Sequence, residues 1–389
     1  MCKRRTLKYW IGQLHLWLGL ASGLVVLIVS ITGCLFVFQQ EISEVLHKEW
    51  FYVKPHTAAA PLPLNILKEQ AQAALGADHP ITNITTYRQP DRSWEFMTYK
   101  ETPPALTYFG AVVYYRSVFL DPYTGDLTGA RDYKYDFFYV VKEIHWSLLL
   151  NTPYGQPIVG WSTLLFVILL ITGLVLWWPK KWTRAWRDRS FKIKWKASFK
   201  RVNYDLHNVP GFYSLLPALV IGLTGMVFSF RWFSTLVYVG AAGTTSPPPQ
   251  VIKRSDTVSI AAAAPLEKAA PLEKALRTAA SQLPDAPRFA VSPAAGREGV
   301  IYVYAYKDRE TSYGYDVLQF DQYSGDLLHH RRNAEKNAGE RLIEMNYDIH
   351  VGAIGGLTGK IMVFVASLIC ASLPVTGFLV WWGKRKRRV

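Results

Sequence analysis

Four histidines have the spacing of ligands. His15 precedes Thr32 by as many residues as His207 precedes Thr224, and His145 precedes Thr172 by one residue more than His350 precedes Thr376. Each of the four lies at the edge of a long apolar stretch. An imidazole is costly there unless it has a partner, and a metal ion or haem iron is a partner that its nitrogen serves well. A single His at a helix end usually marks a hydrogen bond. Four that match across the chain and pair by side favour ligation and redox chemistry in a membrane.

The elements that must position them are read from hydropathy. Leu14 to Phe38, Ile158 to Trp178, Phe212 to Phe233 and Ile361 to Trp382 are apolar, and each as a helix would cross a hydrocarbon core of about 30 Å. The net charge of +15 is concentrated next to these runs. Segments 1–10, 179–206 and 383–389 carry more positive charge than the chain's whole net excess. Short basic loops mark the cytoplasmic side, so both termini and the central loop are expected inside a bacterial inner membrane. Basic tail residues such as Lys384 and Arg385 then contact lipid headgroups rather than nucleic acid.

The expected layout is a first span with its cytoplasmic N-terminus (1–38), an outer segment (39–157) and a second span (158–178). A basic loop (179–211), a third span (212–233), a second outer segment (234–357) and a fourth span with the basic tail (358–389) follow. Pro153, Gly155 and Pro157 are expected to break the helix after His145, leaving His145 on a short outer helix, with the same arrangement for His350. His15 and His207 then share the inner face, and His145 and His350 the outer one. Two facing imidazoles from different helices can hold one haem axially, which gives two b-type haems. Gly19 and Gly211, one helical turn beyond the inner histidines, are expected to leave room for the flat macrocycle. His47, His56, His79, His329 and His330 have no counterparts across the halves and read as solvated.

The halves look like a parallel duplication. Trp177-Trp178 and Trp381-Trp382 each precede basic residues, and Asp121-Pro-Tyr-Thr-Gly-Asp126 corresponds to Asp321-Gln-Tyr-Ser-Gly-Asp326. Both halves start and end on one side, unlike an inverted repeat. Each outer segment reads as a small α+β unit. The first has an amphipathic stretch at Leu64 to Leu75 and strands at Ser93 to Lys100 and Val112 to Leu120. The second has Pro271 to Leu283, Val300 to Tyr306 and Tyr315 to Phe320. The Asp-x-Tyr-[Thr/Ser]-Gly-Asp elements read as hairpin turns. Residues 241–265 read as a linker, followed by the doublet Ala264 to Ala269 and Ala270 to Ala275. Thr-Gly recurs in all four spans and reads as close helix packing. On that ground the Cys34 that follows the first one is not a lipidation site, and the first span is expected to be retained. The sparse cysteines leave no iron–sulfur cluster, and Gly355 to Lys360 lacks the residues of a phosphate loop.

Together these residues resemble the PepSY-associated transmembrane family of iron-regulated membrane proteins. The motifs are His15-Leu-Trp-Leu-Gly-Leu20 with its downstream Thr-Gly, Val118 to Asp126, and Ile171-Thr-Gly-Leu-Val-Leu-Trp-Trp-Pro-Lys-Lys-Trp182. The second half departs from the pattern at Gln322 and at Gly383. The resemblance implies PepSY-like periplasmic units and a haem-dependent reductase that passes electrons from a cytoplasmic or membrane-borne donor to a ferric siderophore or other ferric chelate. Aromatic residues at Trp50, Phe51 and Tyr52, or at Tyr133 to Tyr139, are candidates to line the acceptor's face. The rival readings are a non-enzymatic membrane-anchored PepSY module that binds or inhibits a periplasmic partner, and a metal-ion transporter.

Overall fold

A computed structural model describes residues 6–55, 60–102, 104–179, 181–248, 251–256 and 270–385. His56, Lys180, part of the 241–265 linker, the first copy of the doublet and residues 386–389 lie outside the described residues. The chain opens with α1 (Leu7–Phe36) and the short α2 (Gln39–Leu46) and α3 (Lys48–Phe51). Helix α4 (Leu64–Leu75) leads to β1 (Asn83–Tyr87) and β2 (Trp94–Glu101). A single turn, α5 (Tyr108–Ala111), precedes the hairpin of β3 (Val112–Leu120) and β4 (Leu127–Asp132). Next come α6 (Phe137–Ser147), α7 (Thr152–Trp177), α8 (Arg184–Phe191), α9 (Phe199–Tyr213), α10 (Leu215–Ser229) and α11 (Arg231–Ala242). Then α12 (Ala270–Gln282) precedes β5 (Arg288–Ser292), β6 (Val300–Tyr306), β7 (Tyr315–Asp321) and β8 (Leu327–Arg331). Helices α13 (Ala338–His350) and α14 (Gly356–Arg385) follow.

Among the described residues, three helices are long and apolar enough to cross a membrane: Leu7–Phe36, Thr152–Trp177 and Ala353–Gly383. Leu24, Ile31 and Leu35 on α1, Ile171 on α7, and Met362, Val365 and Leu368 on α14 stay exposed around them. Such a belt of large apolar side chains suits lipid, not water. The pair α9 and α10 is a fourth candidate span, bent by 68°. The apolar run 212–233 is therefore not one straight helix. Its hydropathy is continuous, but Pro210 and Pro217 have no N–H to give to the carbonyls of Leu206 and Tyr213, and the chain turns between them at Ser214. Helix α9 also takes up the end of the stretch expected as a basic loop.

The break after His145 does not fall at the prolines. Pro153 sits in the first turn of α7, where a missing N–H costs nothing, and Pro157 is inside the same helix. The chain turns at Leu148 and Leu149, both left-handed with φ of 57° and 61°.

The two α+β segments do not stand apart. Their strands form one eight-stranded sheet in the order β4-β3-β2-β1-β5-β6-β7-β8. β1 and β5 pair antiparallel at the centre, with Ile84 opposite Val291, so neither segment exposes that edge. Helices α4 and α12 cover one face. Leu64, Leu67 and Ala71 meet Leu272, Ala275 and Ala279 over Phe96, Val303, Leu318 and Phe320 in a shared core. The two Asp-x-Tyr motifs are hairpin turns. Asp121 Oδ1 accepts from Tyr123 N at 2.8 Å, and Asp321 Oδ1 from Tyr323 N at 2.8 Å. Gly125 and Gly325 take positive φ, and a side chain at either would strike Gln70 or the backbone of Pro271. Strand alternation sends Phe96 and Thr98 towards the helices and Met97 and Tyr99 to the opposite face, which is turned to the helical bundle.

Candidate functional site

The four histidines come together two by two. The ring centroids of His15 and His207 are 6.4 Å apart, and those of His145 and His350 are 6.1 Å apart. A metal–imidazole bond is about 2.0–2.1 Å, and a ring centre lies roughly 1.2 Å behind its nitrogen, so two imidazoles gripping one iron from opposite sides would have centroids about 6.4–6.6 Å apart, close to both separations.

Hydrogen bonds fix which nitrogen is free. His15 Nδ1 is 2.9 Å from Thr172 Oγ1, His207 Nδ1 3.0 Å from Thr376 Oγ1, and His350 Nδ1 2.9 Å from Thr224 Oγ1. Each of those hydroxyls already donates to the carbonyl four residues back: Ile168, Ser372 and Val220. The oxygen can therefore only accept, so each Nδ1 carries the proton and donates. His145 Nδ1 donates to Val29 O at 2.8 Å, with Thr32 Oγ1 at 3.3 Å. All four Nε2 atoms are left with a lone pair, the tautomer a metal requires.

The Thr-Gly motifs are thus imidazole seats as well as packing residues. The adjacent glycine makes the room: a Cβ would stand 3.2 Å from His145 Cε1 at Gly33, 3.4 Å from His15 at Gly173, 3.7 Å from His350 at Gly225 and 3.1 Å from His207 at Gly377. The seats are reciprocal. Helix α1 brings His15 to α7, and α7 is preceded by His145, which returns to α1. In the same way α9 brings His207 to α14, and α13 returns His350 to α10. Gly19 and Gly211 lie against neighbouring helices. A Cβ at Gly19 would meet Leu169 at an ordinary 3.9 Å, and one at Gly211 would crowd Leu373 at 3.3 Å.

Several supporting residues were not singled out by the sequence reading. Asn203 Nδ2 donates to Thr376 O at 3.0 Å and Asn346 Nδ2 to Thr224 O at 3.1 Å. Each precedes its histidine by one helical turn, an Asn-x-x-x-His spacing visible in the sequence. At the basic end of the bundle Lys8 Nζ donates to Trp178 O at 2.7 Å and Lys200 Nζ to Gly383 O at 2.9 Å. Each ammonium lies near a helix C-terminus, where positive charge is favoured.

The His145–His350 pair opens on a cavity of about 650 Å³, within the range of small-molecule and cofactor sites. Val29, Phe166, Gly222 and Ser367 line its floor, and Met97, Tyr99, Tyr108, Tyr115 and Glu143 line the end towards the sheet. The sheet residues that line the cavity come from β2, β3 and their neighbours, not from the β5–β8 half. The aromatic groups proposed from sequence are elsewhere. Trp50 and Phe51 pack on Phe119. Tyr133 is buried and Tyr139 half-buried beside Tyr115, and desolvation pushes both phenols well above their ordinary range. Of the remaining histidines, His47 stacks on Trp50 at 3.8 Å and His79 meets the edge of Tyr114. His330 is not solvated: its Nε2 lies 2.9 Å from Asp316 Oδ2. Lys360 of the glycine-rich stretch pairs with Glu41, which leaves it no role in binding phosphate.

Among the described residues no three His, Cys, Asp or Glu side chains converge. Two imidazoles suit a group that brings its own equatorial nitrogens, whereas a tetrahedral ion needs three or four protein ligands. The donor set, the free Nε2 atoms and the centroid separations therefore all fit haem. No match was found among curated proteins. A family model described as PepSY-associated TM region matches residues 13–384, and the chain belongs to that family.

Proposed function

We propose that the protein is a dihaem reductase of the bacterial inner membrane that delivers electrons to ferric iron on the sheet side, most fittingly iron held in a siderophore. One b-type haem sits between His15 and His207, the other between His145 and His350. The single observation that carries the reading is the pair of imidazole couples, each with both Nε2 atoms free and with centroids 6.4 Å and 6.1 Å apart. The haems supply reversible one-electron carriage between the basic end of the bundle and the sheet end. The protein's own residues do the rest. The threonine oxygens and Val29 O hold the Nδ1 protons and so aim the rings. The apolar floor keeps water from the sheet-end pair, and Tyr99, Tyr115, Lys142 and Glu143 form the surface an acceptor meets. Each ferric ion gains one electron, the cytoplasmic or membrane donor loses one, and the Fe(II) formed is held less tightly by oxygen-rich ligands.

The same reading takes α9 and α10 as one bent span, giving four in all, and takes the chain as a duplication with both termini cytoplasmic and the sheet periplasmic. The reciprocal seats, the matched Lys8 and Lys200 contacts and the pseudo-symmetric strand order all support it. Detergent-purified protein should show bis-histidine b-type bands that sharpen on dithionite reduction, with two haems per chain. A colourless protein would end the proposal and favour a plain binding module.

The seats give a graded expectation. Thr224→Val removes the one close acceptor of the His350 Nδ1 proton, Thr224 Oγ1 at 2.9 Å, and leaves it only the weaker contact with the Ile221 carbonyl, a cost of about 1–3 kcal/mol. Thr32→Val should cost less, because His145 keeps Val29 O at 2.8 Å. Retention of the sheet-end haem against apomyoglobin should therefore fall roughly 10-fold for the first and little for the second. Equal losses would contradict the hydrogen-bond assignment.

A further inference from the structure

Two buried polar atoms in the sheet-end cavity have no hydrogen-bond partner: Tyr108 Oη and Gln156 Nε2. Tyr108 is 6% exposed. A buried donor left unsatisfied is costly and needs an explanation. Its position is closely determined. Tyr108 N donates to Leu149 O at 2.9 Å, Asn151 N to Leu106 O at 2.8 Å, and Asn151 Nδ2 to Ala105 O at 2.9 Å. Tyr108 is therefore stitched to the left-handed turn between α6, which carries His145, and α7, which carries Gln156. The two donors flank the same cavity from the sheet and from the bundle. Lys142 is nearby but already pairs with Glu143 at 3.0 Å.

We propose that Tyr108 and Gln156 form a carboxylate seat that takes the propionate side chains of the porphyrin held between His145 and His350. The proposal rests on the haem reading above. A phenol O–H and an amide N–H are both donors, and a carboxylate offers acceptor lone pairs to both. Burial pushes the Tyr108 phenol well above its ordinary range, so it stays a donor at any physiological pH. The seat also orients the macrocycle, with its charged edge towards the sheet and its apolar edge among Val29, Phe166 and Gly222.

The test uses the full chain carrying Tyr108→Phe, Gln156→Leu and both together, substitutions that keep size while removing the donors. Haem loss to excess apomyoglobin is followed by absorbance. The double variant should lose the sheet-end haem roughly 10–100-fold faster, from loss of hydrogen bonds to a charged group, while the His15–His207 haem leaves at the wild-type rate. That second haem is the internal control for folding. Wild-type protein reconstituted with the dimethyl ester of haem should lose it as fast as the double variant loses native haem, and the substitutions should add nothing further. Unchanged loss in the double variant overturns the seat. Normal retention of the ester assigns the donors to a separate carboxylate ligand and overturns the propionate assignment. Absence of haem from the wild-type protein would instead overturn the function proposal, so the two failures are distinguishable.

Discussion

His350→Ala should leave one haem per chain instead of two and should abolish reduction of an external ferric chelate. His350 faces His145 with centroids 6.1 Å apart, and no third His, Cys, Asp or Glu converges there among the described residues. Loss of one axial nitrogen leaves no protein donor to replace it. Seat residues alone are worth about 10–100-fold in affinity or activity, so loss of a ligand should exceed roughly 100-fold. The haem between His15 and His207 should survive and still be reduced from the basic end, because its ligands come from α1 and α9 and not from α13. Pyridine haemochromogen analysis gives the stoichiometry, and trapping of Fe(II) from a ferric chelate under anaerobic conditions gives the rate. Two haems in the variant, or wild-type reduction with one, would remove His350 from the electron path.

The pairing of the four histidines was legible in sequence because imidazoles at the ends of apolar runs are rare and because the two sets match. Their partners were not. Thr32, Thr172, Thr224 and Thr376 looked like packing residues, since a Thr-Gly step in a membrane helix does bring helices together. Only the placement of α1 against α6 and α7, of α9 against α14 and of α10 against α13 brings an imidazole to each of those hydroxyls. The strands with alternating or aromatic-rich runs, such as Val112–Leu120 and Val300–Tyr306, could be read directly. β1 and β5 could not, being five residues each, and so the fusion of the two segments into one sheet was hidden. The bend between α9 and α10 was hidden for another reason: hydropathy records apolarity, and prolines interrupt hydrogen bonding without interrupting apolarity.

Position matters as much as ligand identity at His145, and Gly155 tests that. A Cβ at Gly155 would lie 1.9 Å from Ser147 O, inside any permissible contact. The obstacle is a backbone carbonyl, so no change of rotamer relieves it. The only remedy is to move α7 away from the end of α6, and α6 carries His145 two residues before Ser147. The turn between them is already committed: Leu148 and Leu149 have positive φ, and Ser147 Oγ donates to Leu150 O at 2.6 Å. Gly155→Val should therefore dislodge His145 without touching it, at a cost on the order of 4–5 kcal/mol, the range of severe single substitutions. The sheet-end haem should be lost, and the basic-end haem should remain. Gly12→Ala is the matched control, since its Cβ would meet only Leu176 Cδ2 at an ordinary 3.7 Å, and both haems should be kept. If Gly155→Val also retained both haems, the corner between α6 and α7 would not be what fixes His145, and the ring would have to be held by Val29 O and Gly33 on α1 alone.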